Sequence, residues 1–188
     1  MKRFLIPLAC AVVLAAVIVP RRSRADAAPG PGITIAIAAP AFGPGDDRPR
    51  EIPVNSKSHF HVVITNVSDK IQRVEMEGSS DGDEALSFEI TDENGKKTIV
   101  HRAMMEYGKN MLHWWVLQPG ECVVTDVDVM GNEWQPGFPH PDHYGASETV
   151  TMSAIFEFKT GAYAEKEGLW TGRVTSKPEK YTFWNNGD

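Results

Sequence analysis

Apolar and polar side chains alternate strictly over several short stretches of this chain. The clearest is Ser58 to Ser68, S-H-F-H-V-V-I-T-N-V-S. Phe60, Val62 and Ile64 fall on one face of a strand, and His59, His61, Val63 and Thr65 on the other. Asn66, Ser68 and Asp69 are turn formers and end it. Leu86, Phe88 and Ile90 alternate with Ser87, Glu89 and Thr91 in the same way. The longest such segment runs from Thr149 to Lys159. Val150, Met152, Ala154, Phe156 and Phe158 face one way, and Thr149, Thr151, Ser153 and Glu157 the other.

Shorter strands fill the intervals. Ile33 to Ile37 is a candidate edge strand, and Glu51 to Val54 leads into the central one. Ile71 to Glu77, Thr98 to His101, Trp114 to Leu117 and Cys122 to Val129 follow, the last with Val123, Val127 and Val129 inward. Leu169 to Ser176 and Tyr181 to Trp184 close the sheet, and Ala162 to Glu167 is a single helical turn. Asp92-Glu93-Asn94-Gly95-Lys96 reads as a hairpin turn in which Asn94 and Gly95 take positive φ. Gln118-Pro119-Gly120-Glu121 reads as a turn with Pro at its first corner and Gly at its second. Two long loops, 103–113 and 131–147, interrupt the pattern.

Turn signals about every 8 to 12 residues, with no sustained helical period, predict an all-β fold. The expected architecture is an immunoglobulin-like antiparallel β-sandwich of about seven to nine strands, with a barrel as the alternative. The sandwich is expected over 48–188, after a tether with its edge strand at 28–47.

The N-terminus changes the picture of where the chain works. Lys2 and Arg3 precede an apolar run from Phe4 to Val19, and Ala25-Asp26-Ala27 is a small-residue cleavage site. Residues 1–27 are therefore expected to be a secretory leader. Arg21, Arg22 and Arg24 after the apolar run favour the opposite orientation, so a retained anchor is the alternative. The full chain carries 19 basic and 25 acidic residues, net −6. The leader holds five of the basic residues and one acid, so the mature chain stands at −10. Such a charge repels nucleic acid and anionic membrane surfaces. The expected partner is another extracytoplasmic protein, with no membrane unless the leader stays uncleaved. Cys122 is the one cysteine beyond the leader, which rules out an intramolecular disulfide in the mature chain.

The motifs T-N-V-S-D-K (65–70), F-E-I-T-D-E-N-G-K (88–96) and L-Q-P-G-E (117–121), followed by a valine strand, resemble the BsuPI-type domain. That is an immunoglobulin-like extracytoplasmic module named for a bacterial proteinase inhibitor. The tail W-T-G-R-V-T-S-K-P-E-K-Y-T-F-W (170–184) is similar to secreted proteins of planctomycete-like bacteria. The resemblance implies fold and compartment. No inhibitory loop carries over residue by residue, so inhibition stays an analogy.

Candidate chemistry is sparse. His59 and His61 lie two apart on one strand face, a metal pair or two solvated histidines. His101, Met104, Met105, Met111 and His113 combine thioethers with imidazole, a set suited to Cu(I). Against it, no histidine follows Cys122 as blue-copper sites require, and Met also fills gaps above a core. His140, Asp142 and His143 sit in a proline-rich loop, and Asp81, Asp83 and Glu84 in an acidic one. Cys122 lacks an activated-nucleophile motif and reads as a small hydrophobe. No hydrolase, phosphate-cradling or paired-carboxylate signature is present, and no cofactor is implied. Trp114, Trp115, Trp134, Phe138 and Tyr144 are the aromatics expected at the loop end, as a binding surface or as caps on the core. Two adjacent tryptophans on a strand require one to point outward. The sequence thus reads as a non-catalytic binding or structural module, with copper handling and proteinase inhibition as alternatives.

Overall fold

The computed structural model describes residues 32–39, 48–55, 57–75, 84–103 and 113–187. The expected leader, most of the expected tether, Asp81, Asp83, Met104, Met105 and Met111 lie outside the described residues.

The fold is an all-β sandwich. Its first sheet has the order β1–β3–β8, where β1 is Ile33–Ala38, β3 is His59–Asn66 and β8 is Cys122–Asp128. The second sheet runs β2–β12–β10–β5–β6–β9, with β11 also on β10. Here β2 is Arg50–Val54, β5 Leu86–Thr91, β6 Lys97–Arg102, β9 Trp134–Gln135, β10 Ser147–Phe158, β11 Gly172–Thr175 and β12 Glu179–Asn185. A two-stranded ribbon pairs β4 (Gln72–Glu75) with β7 (Trp114–Leu117). Among the described residues a short helix, α1, spans Ala162–Glu167.

The alternating stretches become strands with the expected faces. Phe60, Val62 and Ile64 of β3 are buried, as are Leu86, Phe88 and Ile90 of β5. On β10, Val150, Met152, Ala154, Phe156 and Phe158 all lie in the core. Ser153 and Ile155, on the other face of β10, are buried as well, a double burial that simple alternation does not foretell. Phe60 meets Phe88 edge-to-face at 5.4 Å across the gap between the sheets. Each such pair contributes about 0.5–1.5 kcal/mol beyond its buried area.

Three details depart from the expectations. Twelve strands appear among the described residues, because several pieces of two to four residues pair separately. One pairing, β12 with β2, is parallel. Arg50 reinforces that join, bonding to Glu179 at 3.4 Å and donating to the Ala39 carbonyl at 3.0 Å. In the 92–96 turn only Gly95 has positive φ; Asn94 does not. The Asp92 carboxylate accepts the Asn94 and Lys96 amides instead, so the loop is a five-residue turn with a glycine bulge rather than a two-residue one. The 118–121 turn is as expected: Gly120 has φ +81° and Glu121 N donates to Gln118 O at 3.0 Å.

β1 is a full member of the sandwich. Ile33, Ile35 and Ile37 are buried, and the strand leans on β10 and β11. Among the described residues, β1 and β8 are the two edges of the first sheet.

Candidate functional site

The residues expected to form one aromatic surface separate into three environments. Trp134 and Phe138 are only 4% and 8% exposed. They form an aromatic cluster with Phe88, Phe60 and Phe183, at centroid distances of 5.2–6.2 Å. The long 131–147 loop folds inward through these rings, because two large aromatics gain more from burial than from water. Arg102 covers the Trp134 ring at 5.3 Å. Trp114 is half-buried and packs on the core, while its neighbour Trp115 is 44% exposed. The two rings take opposite faces of β7, as strand geometry requires, and Trp115 shares its face with its ladder partner Val74. Tyr144, on the 131–147 loop near Gly187, is 78% exposed.

The metal candidates are equally scattered. His101 lies on β6 in the second sheet, and His113 precedes β7. The three methionines between them lie outside the described residues. His59 and His61 face Asp128 and Asp126 across the β3–β8 ladder. His61 Nδ1 lies 2.7 Å from Asp126 Oδ1 on the outer face of the sheet. His59 Nδ1 instead meets the Lys57 carbonyl at 2.9 Å. His140, Asp142 and His143 are exposed. Among the described residues, no three His, Cys, Asp or Glu side chains are grouped so as to hold a metal ion. Cys122 is free and exposed at the head of β8, not a buried hydrophobe.

What the fold does assemble is an apolar groove of about 260 Å³ on the β8 side of the sandwich. Val123, Thr125 and Ile64 of the first sheet form one wall. Leu86 and Phe156 of the second sheet lie opposite, and Val74 and Trp115 of the β4–β7 ribbon close the end. Glu75, buried in the ribbon, and Asp126, exposed on the rim, supply the two carboxylates. Val124 also lines it and is 54% exposed.

The groove exists because β8 stops the first sheet. The hydrogen bonds Val129 N to Ser58 O and Asn66 N to Glu121 O fix which β8 residues face β3. By alternation, Val123, Thr125 and Val127 direct their backbone polar groups to β3. Val124 and Asp126 direct theirs outward. Among the described residues no strand pairs with that outer edge.

Nearby, the cavity of about 210 Å³ beside α1 is lined by Glu84, Glu157 and Tyr163. Burial pushes the Tyr163 phenol above its ordinary pKa, with the charges of Glu167 and Glu75 adding to it. Arg173 stands 3.4 Å from Glu157. This cavity mixes the two carboxylates with Lys159, Thr160, Phe158 and Ala164, whereas the β8 groove is mostly apolar.

Sequence reasoning missed Ile64, Val74, Leu86, Val123 and Phe156 as groove residues because each reads as ordinary core. The available signal was the doubled apolar residues Trp114-Trp115-Val116 and Val123-Val124, which on strands must leave some members outside. No protein-family model matches the chain, and no curated protein matches it.

Proposed function

We propose that this protein is a non-catalytic binding module of the extracytoplasmic space, and that it engages another protein through the groove beside β8. The observation that carries the reading is Trp115. It is a large aromatic left 44% exposed, at the mouth of an apolar groove that reaches Leu86 and Phe156. Exposed tryptophan beside a concave apolar surface is the usual composition of an interaction hot spot. The groove's 260 Å³ is below the roughly 300–1,000 Å³ typical of small-molecule pockets. It suits a few side chains of a polypeptide. What supports an extracytoplasmic site of action is the leader-like pattern of residues 1–27, and the acidic balance of the chain disfavours anionic membranes as partners.

Selection from a random peptide display library tests this. An enriched peptide family whose binding is lost in the Trp115→Ala protein, with melting unchanged, is the expected result. Enriched peptides that bind Trp115→Ala as well as the parent chain would overturn it.

A further inference from the structure

The geometry points to strand addition as the binding mode: an extended apolar segment of a partner, flanked by Lys or Arg, pairs with the outer edge of β8. This rests on the groove reading above and specifies how the groove is filled.

Three features converge on it. The Val124 and Asp126 backbone groups face outward, and no described strand takes them. An unpaired edge of this kind is a template for another strand. The groove lies directly beside that edge and between the sheets. A segment paired to β8 therefore places every second side chain over Leu86, Phe156 and Val123, continuing the inner face of the first sheet. The carboxylates choose the partner. Asp126 and Asp128 on β8 and Glu121 just before it make this edge acidic, with Asp126 71% exposed even while His61 stands 2.7 Å away. In a chain of net charge −6, a second copy is repelled and a segment with basic ends is attracted.

The probe is an acetylated, amidated heptapeptide, Lys-Val-Thr-Val-Thr-Val-Lys, matched to the seven residues of β8. Hydrogen exchange is read at single amides. On adding the peptide, the Val124 and Asp126 amides are expected to slow by about tenfold or more. A version N-methylated at alternate residues on the pairing edge should give no protection, and a version with Glu at both ends should bind several-fold more weakly at low salt. Cross-linking of the peptide near Trp115 without slowing of these two amides would sink strand addition and leave the groove reading intact. Amides already slow in the free protein would show that the chain covers its own edge. Slowing that tracks protein concentration alone would show a second copy there. Either result also overturns the proposal, as does equal binding by the N-methylated peptide.

Discussion

The side-chain amide of Asn66 donates to the carbonyl of Leu117 at 2.9 Å, deep in the protein. This single bond ties the end of β3 to the end of β7. The same nitrogen donates to Lys70 O at 2.7 Å, and Oδ1 accepts from the Ser68 amide and hydroxyl. Asn66 N and O also bond to Glu121 and Gly120 in the turn. A fully buried amide is tolerable only when its donors and acceptors are met, and here they are. Asn66→Leu would leave several of these partners unmatched and is expected to cost about 2–4 kcal/mol in urea unfolding. Ser68→Ala, which removes one hydroxyl at the edge of the network, should cost about 1 kcal/mol.

Phe138 and Tyr144 belong to the same loop but opposite environments. Phe138→Ala is expected to destabilise by about 3–5 kcal/mol, since its cavity opens among Phe60, Phe88 and Trp134. Tyr144→Ala should change stability by less than about 0.5 kcal/mol. Thermal melts of the two variants distinguish a loop that caps the core from one that displays both rings.

Tyr181 gives the fold an alkaline limit. Burial pushes its phenol up to about 12, and the Glu179 carboxylate adds to the rise while Arg50 opposes it. The unfolded phenol ionises near its ordinary value of 10.0. Above that pH the unfolded chain releases a proton that the native chain keeps, so stability falls as pH rises. The contribution is complete below pH 10 and is lost progressively towards about 12, a fall of about 2–3 kcal/mol. Tyr181→Phe should flatten this decline while leaving stability near neutrality within about 1 kcal/mol. Urea midpoints measured from pH 8 to 12 check it.

Trp115 is placed for binding more than for folding. Trp115→Ala is expected to lower stability by about 1 kcal/mol or less, because much of the ring is already in water. Val74→Ala, in the fully buried floor of the same groove, should cost about 1–3 kcal/mol. Parallel denaturation curves separate the two roles.

The period-two pattern made the sandwich legible: Phe60, Phe88 and Phe156 are inside because each alternates with polar neighbours on its strand. The parallel β12–β2 pairing was not legible, since side-chain alternation is the same in either direction. The turn at Asn94-Gly95 was placed correctly, but its conformation depended on Asp92, whose side chain supplies two hydrogen bonds. Of the site, only the rule that Trp114 and Trp115 must diverge could be read in advance. The groove brings Val74, Leu86, Trp115, Val123 and Phe156 together from five strands, and no local spacing encodes that. Trp134 and Phe138 were ambiguous for a related reason: in a loop without periodicity, a sequence does not reveal which way a ring turns.

Photo-cross-linking locates the bound segment most directly. A photoreactive phenylalanine is placed at position 115 in one protein and at position 144 in another, and each is irradiated with the lysine-ended heptapeptide. Labelling from position 115 and none from 144 is the expected outcome. Labelling from 144 alone would contradict a binding surface at the open sandwich edge.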